Sequence, residues 1–334
     1  MRTVHRFYTF TALKALLVLG GIATLPLQTA QATAGEPLAA QPALIAPLAP
    51  RSMLLDVVEA GDHLVAVGER GHILVSPDGV EWKQVDDPVN VMLTAVSFPD
   101  AKNGWAVGHD AAILHSADGG QTWTLQNFQP DLGQPLLDVY FADSRTGFAV
   151  GAFGLFMQTL DGGQSWEVIT PPAVVDDGNH LNAITRLHDG SLLVVGEMGL
   201  MAVGDADGNW QKIESPYEGS LYAAEALGEH GVMIVGMRGN AYRTDDVRTG
   251  SWSKVETGTV QGLTGVRSLP DGTFAITGMN QTLLIVAQDG KVHRGEIDSH
   301  DPNGESGPFN SIVVHGKQVL VATHEGVRRA VVNP

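Results

Sequence analysis

Seven blocks of nearly unbroken apolar residues punctuate the chain: HLVAVG from His63, NGWAVG from Asn103, TGFAVG from Thr146, SLLVVG from Ser191, GVMIVG from Gly231, TFAITG from Thr273 and KQVLVAT from Lys317. Each is short and rich in β-branched residues, as a strand buried on both faces should be. Before each lies a half-polar run: MLLDVV, MLTAVSF, PLLDVYF, HLNAITRL, SLYAAEAL, GLTGVRSL and FNSIVVH. After each come a tight turn, a second short strand and a polar turn, most often closed by Trp. The stretch VGHDAAILHSADGGQTW, Val107 to Trp123, shows the whole sequence of events. The five turn-closing residues Trp82, Trp123, Trp166, Trp210 and Trp252 are spaced by 41, 43, 44 and 42. The sixth unit has lost the Trp, and the seventh ends before the polar turn. A fixed period in this range means an array, a solenoid or a propeller, and it outranks any single-residue signal.

Within a unit the pattern predicts four short strands, A to D. In the first unit these are Met53–Val58, His63–Gly68, His72–Ser76 and Trp82–Val85. Four antiparallel strands per unit of about 40–45 residues make a propeller blade. The predicted fold is therefore all-β, a seven-bladed β-propeller over residues 51–334. The seventh unit supplies only A, B and C. The segment Ala43–Pro50, ALIAPLAP, resembles the end of the third unit, WEVITPPAVV, and stands at the right distance before the first A strand. Residues 35–50 are accordingly read as a linker and a closing strand, with Ala43–Pro50 expected to pair as the outer strand of blade 7. Such pairing would remove an exposed sheet edge, and an outer strand tolerates proline.

Residues 1–34 change the picture of where the chain works. Arg2, Arg6 and Lys14 precede an apolar run from Ala15 to Ala23, and Ala32-Thr33-Ala34 precedes Gly35. This is the layout of a secretory signal peptide cleaved after Ala34. The apolar run is shorter than the roughly 20 residues of a membrane span. A periplasmic or secreted protein follows, not membrane-spanning once the signal is removed, and a monomer. No Cys is present, so no disulfide framework exists. The full chain carries a formal charge of −17; without the leader 17 basic residues face 37 acidic ones, a charge of −20. That balance argues against nucleic acid and against anionic membrane surfaces.

The polar turns Ser116-Ala-Asp118-Gly-Gly120-Gln-Thr-Trp123 and Thr159-Leu-Asp161-Gly-Gly163-Gln-Ser-Trp166 fit the Asp-box pattern S/T-x-D-x-G-x-x-W. The spacing has a local reason. An Asp carboxylate can accept backbone N–H groups of its own turn. Gly120 and Gly163 permit positive φ, and the Trp can bury its ring between neighbouring blades. Ser116, Asp118, Gly120, Trp123, Thr159, Asp161, Gly163 and Trp166 are therefore read as structural, and no catalytic residue is assigned.

These Asp-boxes, each preceded by a VGxxGxIxxSxDGG strand pair, resemble the BNR-like repeats of the photosystem II stability/assembly factor family. The resemblance covers the chain from about Leu54 to its end. It implies a seven-bladed propeller of the thylakoid lumen or of secreted proteins in other bacteria. It also implies a non-enzymatic role, in photosynthetic members a lumenal chaperone for a newly made reaction-centre subunit. Photosynthetic members commonly carry Arg in the C strand just before the Ser/Thr-x-Asp turn. Here that place holds Val75, His115, Gln158, Arg243 and Val286. Only Arg243 matches, so the fold and the assembly-factor role carry over and the photosystem partner does not.

A binding site is expected on the B–C turns, because loops held by a rigid scaffold carry function. Blades 7, 1 and 2 place His324, Glu325, Glu69, Arg70, His109 and Asp110 on one sector. Blades 3 to 6 offer Phe153, Glu197, Met198, Met237, Arg238 and Met279, largely an apolar, adaptable arc suited to binding a polypeptide. His and carboxylates of the first sector are also possible divalent-metal ligands, though no metal or other cofactor is assigned. Two further roles stay open. One is an Asp-box glycoside hydrolase of sialidase type, for which Glu69 and Glu197 would have to flank a bond. The other is a permanent subunit of an envelope transport system. In either binding role the partner is a protein of the cell envelope.

Overall fold

A computed structural model of the chain describes residues 38–205, 207–298 and 307–332. They form seven four-stranded antiparallel sheets, the blades of a propeller. In six blades the strands follow in order from inside to outside. Blade 1 runs Leu54–Ala60, His63–Gly68, Ile73–Ser76 and Lys83–Gln84 as A, B, C and D. One short helix, Pro172–Val175, sits in the D–A connection after blade 3.

The apolar B strands explain the ring. Successive side chains on a strand point to opposite faces. Val65 and Val67 accordingly join the apolar cluster between blades 1 and 2, while Leu64 and Ala66 join the cluster between blades 7 and 1. The described residues contain seven such clusters, one for each junction between consecutive blades. A blade therefore has no core of its own and is held by both neighbours.

The Asp-box turns have the expected structural form. Asp118 Oδ1 accepts the N–H groups of Gln121 and Thr122, and Oδ2 accepts the Thr122 hydroxyl at 2.6 Å. Ser116 Oγ accepts the Gly120 N–H, and the Trp123 indole donates to the Gly120 carbonyl at 2.9 Å. Asp161 repeats the arrangement with Thr159 and Ser165. The hydroxyl and N–H of Ser165, with the Thr159 hydroxyl, hold its carboxyl down at about 2. Blade 1 builds the same turn on Ser76, Asp78 and Gly79 with one residue fewer. Each Trp packs against the preceding blade: Trp123 joins Val65 and Val75, and Trp82 lies against the cluster holding Leu320 and Val327. In the looser turns of blades 4 and 5 the indole N–H groups of Trp210 and Trp252 are buried without a partner.

The last blade departs from the expectation. Its outer strand is Glu296–Ile297, which pairs with Gly326–Val331. Only Gly295 separates it from Val292–Arg294, the outer strand of blade 6. One extended stretch thus closes two blades in succession. Ala43–Pro50 is not a strand. Three prolines in ten residues, Pro42, Pro47 and Pro50, remove the donors a ladder needs. The segment lies instead along blade 1. Gln84 donates Nε2 to the Leu44 carbonyl and accepts the Ala46 N–H, and Ala43 N–H bonds to the Asp87 carbonyl. Its 3-10 turn, Ala49–Arg51, buries Ala49 between blades 7 and 1.

Candidate functional site

The A strands line a central channel with a cavity of about 640 Å³. All seven carry a β-bulge at their second residue. Where that residue is polar it reaches the next blade. Thr94 donates to the Leu136 carbonyl, Asn182 to Leu221 and Asn310 to Leu54. Two third-position carboxylates do the same with more bonds. Asp56 accepts N–H groups from Val57 and Val96 and the hydroxyl of Ser311, so it touches blades 1, 2 and 7. Asp138 accepts Val139 and Ile184 N–H across blades 3 and 4. Burial raises the Asp56 carboxyl above its ordinary range and pushes Asp138 up to about 7. Arg267, bonded to Glu225, lines the same channel, and its charge works against that rise at both carboxyls. These groups are occupied with one another and with the backbone, which makes the wall a set of blade-to-blade ties.

The B–C turns and D–A connections share one face. Gly71 of the first B–C turn approaches the D–A connection so closely that a Cβ would lie 2.0 Å from the Val89 carbonyl oxygen; Gly239 meets Thr259 in the same way. The A–B and C–D turns meet on the other face, where Gly119 donates to the Lys102 carbonyl and His63 Nε2 contacts the Gly119 carbonyl at 2.6 Å. At the apex of six B–C turns the residue before the Gly, or its equivalent, is left-handed. These are Arg70, Asp110, Phe153, Met198, Arg238 and Asn280, with φ between 53° and 58°. A two-residue turn of this type favours Asn, Asp or Gly. Asp110 and Asn280 meet that preference. Phe153 and Met198 do not, and they are 58% and 73% exposed.

The structure gathers part of the apolar arc. The Phe153 ring meets His180 edge-on at 4.7 Å. His180 Nδ1 lies 3.6 Å from Glu197 Oε1, and the His180 N–H donates to Glu197 Oε2. Met198 follows directly, so Phe153, Glu197 and Met198 form one patch across blades 3 and 4. Met279, on blade 6, is 47% exposed and Met237 36%. The polar sector does not converge. Glu325 pairs with Arg328 of its own blade at 3.6 Å, and His324 has both ring nitrogens buried without a hydrogen-bond partner among the described residues. Arg70 and His109 are exposed, and the Asp110 carbonyl accepts Gln129. Among the described residues no group of three or more His, Asp or Glu is placed to hold a metal ion. Nor do Glu69 and Glu197 flank the channel cavity. Glu69 accepts the Met53 N–H as Glu197 accepts that of His180, each at the start of its own A strand. Arg243 spans to the Gln288 carbonyl of blade 6.

Sequence reasoning passed over His180, Asp176, Glu218 and Val260, all in D–A connections. Their only signal was their place opposite a B–C turn, which needs the fold to be seen.

The fold and its loop face define a BNR-type seven-bladed propeller, a scaffold that presents turns around a channel. The chain belongs to the family described as photosynthesis system II assembly factor YCF48, matched over residues 74–134 and 126–293. It is 33% identical over 86 residues to the chloroplastic photosystem II stability/assembly factor HCF136 of Cyanidioschyzon merolae, covering 24% of this chain and 20% of that protein. It is 30% identical over 131 residues to the HCF136 of Oryza sativa subsp. japonica, covering 36% and 31%. These matches span less than a third of the relatives' lengths. Two solved structures share the fold at 18% identity. YCF48 bound to D1 peptide superposes with a TM-score of 0.67 over 87% of this chain and 96% of that one. YCF48 from Cyanidioschyzon merolae gives 0.65 over 86% and 98%. Among the described residues no helix is long and apolar enough to cross a membrane.

Proposed function

We propose that this chain is a non-enzymatic assembly factor that holds a segment of a protein partner against its B–C turn face. The observation that carries this reading is the pair Phe153 and Met198. Each occupies a left-handed turn apex and is more than half exposed. The backbone there favours a small polar residue or Gly, and no core asks for the side chain. Exposed apolar groups of this kind, gathered in a patch, mark an interaction site. Family membership supports an assembly role, and the solved relative named for its bound D1 peptide supports a peptide as the thing held. The carboxylates a glycosidase would use, Glu69 and Glu197, are engaged by backbone N–H groups instead.

The basic, apolar and small-residue order of residues 1–34, which lie outside the described residues, supports work in the periplasm or beyond it, with a partner in an envelope protein complex. In vivo crosslinking followed by purification tests the whole proposal. Phe153→Asp combined with Met198→Asp is expected to abolish partner capture while leaving the thermal unfolding transition in place. Unchanged capture by that variant would remove the face from consideration. Transient capture of newly made clients fits a chaperone, and constant stoichiometry a permanent subunit.

A further inference from the structure

The apolar apices of blades 3 and 4 have acidic neighbours at a place where blades 1 and 5 have Asn and Val. The relevant place is the D–A residue that follows the carbonyl packed against each B–C turn. In blade 1 a Cβ at Gly71 would meet the Val89 carbonyl, and Asn90 follows. In blade 5 Gly239 faces the Thr259 carbonyl, and Val260 follows, 79% exposed. In blade 3 Gly154 faces the Val175 carbonyl, and Asp176 follows. In blade 4 a Cβ at Gly199 would lie 2.3 Å from the Tyr217 carbonyl oxygen and 3.2 Å from the Glu218 Cα. Thus Phe153 stands beside Asp176 and Met198 beside Glu218, with Glu197 between the two apices. Asp176 and Glu218 are exposed. Blades 1 and 5 show no such pairing: their apices are Arg70 and Arg238, beside Asn90 and Val260.

We infer that the segment bound by this face is cationic, a stretch of another polypeptide in which apolar side chains sit next to Lys or Arg. This rests on the reading of the face as a polypeptide site and adds the chemistry of what it selects. An apolar anchor excludes water from its surroundings, which strengthens the pull of a carboxylate beside it. Two such pairs on neighbouring blades match a segment that repeats the same pairing. The neighbouring carboxylates repel an acidic segment of the same apolar content, and specificity needs that repulsive element as much as the attraction. The overall charge of −17 acts in the same direction at longer range, steering a cationic segment toward the protein.

The test uses the whole protein and three synthetic peptides with identical Leu and Phe positions, the spacers being Lys/Arg, Ser/Gln or Asp/Glu. Binding is followed by fluorescence anisotropy at several salt concentrations. The Lys/Arg peptide is expected to bind at least about tenfold more tightly than the Asp/Glu peptide, with a gap that narrows as salt screens the charges. Asp176→Asn with Glu218→Gln is expected to narrow that gap at least about threefold while leaving the Ser/Gln peptide bound as before. Phe153→Asp with Met198→Asp is expected to weaken all three. Equal affinity for all three peptides would overturn the inference and leave the polypeptide-binding reading standing. Tighter binding of the Asp/Glu peptide would overturn it too. Failure of every peptide to bind would count against that reading itself.

Discussion

Asp87 is a buried carboxyl with one satisfied oxygen. Its Oδ1 accepts the Val89 N–H, its Oδ2 has no partner, and burial pushes it up to about 7. Blade 5 shows what the position asks for. There Thr257 occupies the same place in the D–A connection and donates Oγ1 to the Gly239 carbonyl at 2.7 Å. Below about pH 7 the folded Asp87 takes up a proton, whereas an unfolded Asp holds its proton only below about 4. Stability from this site is therefore greatest at low pH and is lost as pH rises through the folded value. Asp87→Thr should stabilise the protein by on the order of 2 kcal/mol at about pH 8, with a gain that shrinks toward about pH 5. Urea denaturation at the two pH values measures it, and an equal gain at both would refute the account. None of this was legible in VDDPVN, where an Asp before Pro reads as an ordinary turn residue. Asp118 and Asp161 were legible because all of their partners lie within four residues. Phe153 was legible only as an apolar letter, since its exposure and left-handed backbone depend on how the turn is closed.

At the level of the element, the blade was readable because its cues are local and repeated: an apolar B strand, a two-residue turn, an Asp-box. The outer strands were the least readable part. They shrink to two residues in blades 1, 3 and 5, too short for any periodic signal. For the same reason Glu296–Ile297 was passed over and an N-terminal segment was assigned its place. The Asp-box itself is a nucleus of hydrogen bonds that fixes where the D strand starts. Asp118→Ala should cost about 2 kcal/mol, because four backbone or hydroxyl donors lose a charged acceptor. Hydrogen exchange is expected to speed up at Gln121, Thr122 and the blade 2 outer strand Thr124–Asn127, and to stay unchanged in blade 5. A loss spread evenly over all blades would show that the turn is not a local device.

Across the whole molecule the ring is closed between blades 7 and 1 by inner strands. Asn310 Nδ2 donates to the Leu54 carbonyl at 2.8 Å, Ser311 to Asp56 at 2.6 Å, and His315 Nδ1 meets Glu59 at 2.8 Å. The period of the sequence implied seven blades and hence a ring, but not the means of closing it, since residues 255 or 256 apart carry no mutual signal. Because every apolar cluster is shared by two blades, loosening this seam should weaken the entire ring rather than one blade. Asn310→Ala is expected to lower stability by about 1 kcal/mol while calorimetry still records one transition. A separate early transition would mean that blades 7 and 1 open alone.

The seam and the channel wall also bear on how such a chain can change over generations. Tandem copying of a unit is the simplest way to lengthen a repeat array. Here Asp56 draws its donors from three units, and Ser311 meets it only because blade 7 abuts blade 1. An extra copy inserted at that junction would part a buried carboxylate from one of its donors, and removing unit 7 would take that donor away. The units descend from one pattern, yet the wall has made them non-interchangeable. The junction ties units 7, 1 and 2 to one another, while the outward turns, Phe153 and Met198 among them, carry no such tie.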